Sequence, residues 1–356
     1  MCYSQRDVSI FTSVMSLRKS ADSRPSISQV TPTAAIAGGE LQIRGKGFAR
    51  VDRPRVTIGE IGAPVIIGSD SFVIARVPEG ATAGELVIES GEQASESWAC
   101  DIGVMLADNI HPVSNPAVDS FGNIYSTFSG SRGQKVPVAV YKIDLNFTMK
   151  PFINELMNAT AMAFDSQGML YISSRYDGFI YQVTPNGNMS VFVEGMGVAT
   201  GIAFDSDQNL YVGDRSGTIF KISPSRQIFV FATLEPSISA YHLTFGPDGY
   251  LYVTGPTTSS FDAVYRISHE GEVETFYRGL GRPQGMAFDE EGRLYVAASI
   301  SGRKGIVRIY PDKRADLFLS GPGIVGVAFT PSRAMVVTTT NAIYRADIGI
   351  KGRPLF

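Results

Sequence analysis

Three short segments carry side chains that could do chemistry. Tyr241 and His242 stand together in "SAYHLTF", Asp214 precedes Arg215 in "GDRSGT", and Arg175 and Asp177 share "SSRYDG". A histidine titrates near neutrality, so it can serve as a general base or exchange hydrogen bonds with a ligand. Arginines beside it can bind an anionic group or stabilise an oxyanion. His242 and Asp214 are therefore the best candidates for catalysis, with no catalytic role assigned to either, because a histidine packed against a carbonyl is the competing reading. His111 in "HPVSNP" is expected near the same mouth and His269 in "SHEGE" in a surface turn. Three histidines so scattered do not make a metal-ligand spacing. No Ser-His-Asp order, nucleophile elbow or Gly-rich phosphate loop accompanies them.

The elements that must position these residues are repeats. Aligning "NPAVDSFGNIYST", "AMAFDSQGMLYISS", "GIAFDSDQNLYVGD", "HLTFGPDGYLYVTG", "GMAFDEEGRLYVAA" and "GVAFTPSRAMVVTT" places tyrosines at 125, 171, 211, 252 and 295, with Val336 next in the series. Each unit reads as four short strands, a period of about 40 residues that signifies a propeller blade. The sixth unit lacks its fourth strand. "IGVMLA", residues 102–107, has the pattern of that strand and is predicted to complete the last blade, removing a free sheet edge. Asp119, Asp165, Asp205 and Asp289 recur in one register because Asp favours the first position of a tight turn, and they are read as structural. Lys142, Lys221, Arg266, Arg308 and Arg345 are read as a solvated face.

A propeller binds ligands where the loops leading into its innermost strands meet the loops joining second to third strands. The first set gives a polar, uncharged ring of Ser114, Thr160, Thr200, Tyr241 and Gln284, with Val325 closing it. The second set includes "TFSGSRGQK" (127–135), "SSRYDG" (173–178), "GDRSGT" (213–218), "TGPTTSSFD" (254–262) and "ASISGRKG" (298–305), segments that differ between repeats while the strands stay alike. The expected ligand-binding set is Ser114, Asn115, Thr160, Arg175, Asp177, Thr200, Asp214, Arg215, Tyr241, His242 and Gln284.

Bulk composition fits an all-β chain: 356 residues with 37 glycines, 19 prolines and 10% aromatics. With 31 basic against 34 acidic residues and no basic stripe, nucleic acid is not an expected partner. No apolar run is long enough to span a membrane. Cys2 and Cys100 can build neither a disulfide framework nor a thiolate zinc site. Residues 1–25 read as a flexible leader without a convincing signal, with Met15 a candidate start, so a cytoplasmic location is expected. Residues 351–356 read as a tail.

Between leader and repeats, "ISQVTPTAAIAGGELQIRGKGF", "RVTIG", "FVIARVP" and "GELVIES" alternate and turn like a small antiparallel sandwich. Pro32, Gly38, Gly39, Leu41, Ile43, Gly45, Gly47, Phe48, Val77, Pro78 and Gly84 resemble the immunoglobulin-like IPT/TIG family over residues 26–101. The expected role is to prop or orient the larger domain.

The repeats over 102–350, above all "PQGMAFDEEGRLYVA" and "NPAVDSFGNIYST", resemble the senescence marker protein/gluconolactonase family and the related NHL-repeat propellers. The resemblance implies a six-bladed β-propeller, so the whole chain is expected to be all-β: a propeller preceded by an immunoglobulin-like sandwich. That family holds a divalent cation through a Glu, two Asn and an Asp, whose positions here are Ser114, Thr160, Tyr241 and Gln284. A hard cation requires carboxylates to offset its dehydration. Calcium or another divalent cation is therefore disfavoured, no cofactor is expected, and only Asp177 and Asp214 could bring charge from nearby loops. The expectation is a binding propeller for a small polar or anionic ligand or a protein partner. The alternative is a hydrolase of sugar lactones or related esters, or a lyase, on the same scaffold.

Overall fold

The computed structural model describes residues 24–82, 84–259 and 261–354, so the predicted leader lies outside it up to position 23. Every element is a strand. Six four-stranded blades follow one another: 117–153, 159–193, 199–233, 242–280, 286–320, and a sixth built from 324–346 together with Val104–Ala107. The strand Val104–Ala107 pairs antiparallel with Ile343–Ala346, Val104 opposite Arg345, so the first strand of the propeller finishes its last blade.

One local device repeats around the ring and accounts for the sequence pattern. Asp119, Asp205 and Asp289 each accept two backbone N–H groups of their own turn through Oδ1 and a tyrosine hydroxyl through Oδ2, from Tyr125, Tyr211 and Tyr295 respectively. Asp165 caps its turn in the same way, and Asp248 receives the Tyr252 hydroxyl at 2.9 Å. Each tyrosine ring then packs edge-on between two phenylalanines, one from the outer strand of its own blade and one from the inner strand of the next. The trios are Phe152–Tyr125–Phe164, Phe192–Tyr171–Phe204, Phe231–Tyr211–Phe245, Phe276–Tyr252–Phe288 and Phe318–Tyr295–Phe329. Such pairs add roughly 1 kcal/mol each beyond the area they bury. The third-strand cations are less solvated than their sequence pattern suggests. Lys142 and Lys221 lie over Tyr125 and Tyr211, and Arg308 is paired with Asp316 above Phe318.

The front sandwich packs Ser26–Thr31, Glu40–Lys46, Phe72–Arg76 and Val65–Gly68 against a second sheet that includes Arg55–Ile58, Gly84–Ser90 and Trp98–Ile102. Leu41, Ile43, Phe48, Ile58, Leu86 and Ile88 fill the space between. It is joined to the propeller by continuous sheet. The two-residue strand Ala34–Ala35 pairs in parallel with Trp98–Ile102 on one side and with Ala315–Ser320, the outer strand of blade 5, on the other. Ile36 inserts among Tyr295, Leu319 and Ile324 of the propeller core. The Ile36 N–H donates to Ser320 O at 3.0 Å, the Glu40 N–H to Ser320 Oγ at 2.8 Å, and Arg303 Nη2 to Thr31 O at 2.8 Å. Only glycine fits at Gly39, where a Cβ would lie 2.3 Å from the Ser320 carbonyl oxygen.

Residues 351–354, read from sequence as a tail, run across the junction of blades 5 and 6. Gly352 forms a bridge with Asp289, the Glu290 N–H donates to Lys351 O, and the Arg353 N–H donates to Phe288 O.

Candidate functional site

The inner strands enclose a channel cavity of about 510 Å³. Its wall includes Ser114, Ala161, Gly201, His242, Met286 and Val327, and its rim is made by Asp205–Asp207, Gly249, His269 and Gly352–Pro354. Those rim residues belong to the first-to-second-strand turns, to the third-to-fourth turn of blade 4 and to the C-terminal segment. The cavity therefore emerges at the face opposite the one the sequence pattern favours. Of the expected ligand-binding residues, Ser114, Asn115 and His242 line it, whereas Thr160, Arg175, Asp177, Thr200, Asp214, Arg215, Tyr241 and Gln284 do not.

His242 begins the inner strand His242–Phe245 of blade 4 and is 2% exposed. Neither ring nitrogen has a hydrogen-bond partner among the described residues. Complete burial lowers its pKa from 6.5 to about 4, so the ring is neutral at pH 7, with one nitrogen able to donate and the other able to accept. A group so weakly basic is a poor general base at neutral pH, since the best base titrates near the working pH. Asn115 serves the scaffold: its amide donates to Met286 O at 2.8 Å and its oxygen accepts from the Val327 N–H at 3.0 Å, so one side chain ties blades 1, 5 and 6. Gly285 must be glycine here, because a Cβ would sit 1.9 Å from that oxygen.

The remaining ring positions take part in hydrogen bonds of the scaffold, some between blades and some within one connecting segment. Ser173 Oγ donates to Thr200 O, Thr254 Oγ1 to Gln284 O at 2.6 Å, and Thr338 Oγ1 to Ser114 O at 3.0 Å. Thr200 accepts from the Tyr241 N–H at 3.1 Å while donating to Gly213 O at 2.8 Å, Thr160 Oγ1 donates to Asn158 O, and the Tyr241 hydroxyl donates to Glu235 O. The side chains at these positions bring no carboxylate charge, and those of Thr160, Thr200 and Tyr241 are already hydrogen-bonded, so they do not suit the hard divalent cation implied by the gluconolactonase resemblance. Among the described residues, no three His, Cys, Asp or Glu side chains gather as a metal cluster.

Asp214 accepts from the Val198 N–H at 2.8 Å and from Ser216 Oγ, and Asp177 accepts from the Phe179 N–H and the Tyr181 hydroxyl at 2.7 Å. Asp177 holds its own loop, and Asp214 ties its loop to the segment that enters the inner strand of blade 3. His111 stacks on Phe128 with Nδ1 3.2 Å from Thr340 O, while His269 packs on Tyr250 at the cavity rim. Sequence reasoning missed Asn158, Arg132 and the C-terminal segment. "TFSGSRGQK" pointed to the loop that holds Arg132, but no repeat register marks a residue such as Asn158 that lies between strands.

Comparison with known proteins divides along the same line as the fold. Residues 25–96 match the IPT/TIG domain family. The IPT/TIG domain is thus the sandwich that is joined to blade 5. An auxiliary nutrient binding protein from Bacteroides thetaiotaomicron superposes with a TM-score of 0.53 at 13% identity, over 90% of this chain and 97% of its own. A gluconolactonase from Xanthomonas campestris gives a TM-score of 0.57 at 14% identity, over 84% and 95%. A further structure described as a gluconolactonase gives 0.56 at 16% identity, over 71% and 93%. At these identities the likeness is one of fold, an all-β chain whose repeats form a propeller. No curated protein sequence matches the chain significantly.

Proposed function

We propose that the protein is a binding propeller whose channel takes a small, uncharged, hydroxyl-bearing molecule, with His242 as the group that recognises it. The observation that carries this reading is the imidazole bordering the cavity, whose two buried nitrogens have no hydrogen-bond partner among the described residues. A buried polar group without a partner costs about 1–3 kcal/mol, which ligand hydroxyls would offset, one accepting from the ring N–H and a second donating to the other nitrogen. The wall combines apolar side chains such as Met286, Phe288 and Val327 with polar ones such as Ser114 and Thr244, and polar and apolar surface contribute to it in comparable measure. The similarity over nearly the full length of an auxiliary nutrient binding protein supports binding. Hydrolysis gains nothing from His242, whose basicity is too low, or from Asp214, which is committed to its loop.

Thermal shift and calorimetry with neutral sugars and aldonolactones test the reading. At least one compound should raise the melting temperature of the wild-type protein saturably, and His242→Phe should weaken that binding by about tenfold or more. If no neutral compound shifts the melting temperature, or if His242→Phe binds as tightly as wild type, the channel is not the site.

A further inference from the structure

The second-to-third-strand loops of blades 1, 2 and 3 each present one arginine: Arg132, Arg175 and Arg215. Asn158, fully buried just before blade 2, organises the first two of these loops. Its amide donates to Gly130 O and Ser131 O at 3.0 Å, its side-chain oxygen accepts from the Gly133 N–H at 2.7 Å, and its carbonyl accepts from the Arg175 N–H. Arg132 is thus carried between residues gripped by one buried amide. Arg175 reaches back over the same loop, with Nη2 donating to Gly130 O at 2.8 Å and Nε buried without a partner among the described residues. Arg215 is tied on the other side: its N–H donates to Val198 O, its Nε to Ser237 O at 3.3 Å, and its carbonyl accepts from the Ser237 N–H.

Three guanidiniums therefore stand on loops cross-tied at blade boundaries. The pKa of Arg175 is lowered first by burial, then by the positive charges of Arg215 and Arg132. Among the described residues, none of the three arginines is in an ion pair. The carboxylates on these loops, Asp177 and Asp214, are occupied by the Phe179 N–H and Tyr181 hydroxyl and by the Val198 N–H and Ser216 hydroxyl respectively. Like charges gathered on rigid supports without a counter-ion are unfavourable in the free protein and become favourable when an anion joins them. Guanidinium forks match carboxylate and phosphate oxygens in geometry.

We infer that Arg132, Arg175 and Arg215 form a binding site for the carboxylate or phosphate group of a small molecule, on the second-to-third-strand loop face. None of the three lines the channel cavity, so this site stands or falls independently of the channel reading.

The full chain is titrated by calorimetry and thermal shift with inorganic phosphate and with gluconate, the two arms separating phosphate from carboxylate recognition. Wild type should bind at least one of them saturably, and R132Q/R215Q should weaken that binding by about tenfold or more. The double variant should melt no lower than wild type without anion, because it relieves repulsion at Arg175. His242→Phe should leave the anion response intact. Absence of a saturable response in wild type, an equal response in R132Q/R215Q, or a lower anion-free melting temperature of R132Q/R215Q with unchanged binding would overturn the inference.

Discussion

His242 has a consequence for stability as well as for binding. Its pKa in the folded protein is about 4 against an ordinary 6.5. Between those values the unfolded chain holds a proton that the folded chain does not, so stability rises with pH across this window and is lost as pH falls from 6.5 towards 4. The loss attributable to this residue is up to about 3 kcal/mol. Melting temperatures measured from pH 7 to pH 4 should fall in wild type and fall less in His242→Gln, whose side chain does not titrate; parallel curves would mean that His242 is solvated. At this scale the sequence was a partial guide. It singled out His242 but placed it among loops at a mouth, because type and spacing cannot show that its strand turns it into the channel. At Thr160, Thr200 and Gln284 the hydroxyls of the two threonines and the backbone carbonyl of Gln284 are hydrogen-bonded within the scaffold, and none of the three residues lines the channel cavity. A polar residue at a fixed register can mark a ligand site or a tie between blades, and only the partner distinguishes the two.

Among the elements, the strands were the most legible part, since Asp, Gly, Tyr and Phe recur where one turn and one aromatic sandwich recur. The segment 351–354 was not legible, because "KGRP" has no periodicity and its order comes from partners in blade 5, far away in sequence. It lies on the cavity rim and contributes two backbone hydrogen bonds, Glu290 N–H to Lys351 O and Arg353 N–H to Phe288 O. Deleting residues 351–356 should lower stability by about 2 kcal/mol, at roughly 1 kcal/mol per bond, and should speed both association and release of a channel ligand. Chemical denaturation reads the first effect and stopped-flow binding the second. Unchanged rates would show that access runs through the other face.

For the whole molecule, the propeller and the sandwich were both legible because each has its own local signature, but the joint between them was not. Nothing in "TAAIAGG" announces that two alanines will pair with blade 5, since a two-residue strand carries no alternation to read. The joint makes Gly39→Val a sensitive probe. Its side chain would collide with the Ser320 backbone, and the variant should lose about 2–3 kcal/mol. Scanning calorimetry should show one transition for wild type and separate transitions for Gly39→Val; a single unshifted transition would show that the joint does not couple the two parts.

The pairing of Val104–Ala107 with Ile343–Ala346 also imposes an order of events on a ribosome. The strand that seals the ring emerges before any blade and directly after the last strand of the sandwich, yet its partner follows only after the five intervening blades. Contacts so distant along the chain form slowly. The nascent protein must therefore carry an unpaired edge until the sixth blade is made, anchored to a sandwich that can already have folded, and the ring shuts in one step once that blade has emerged.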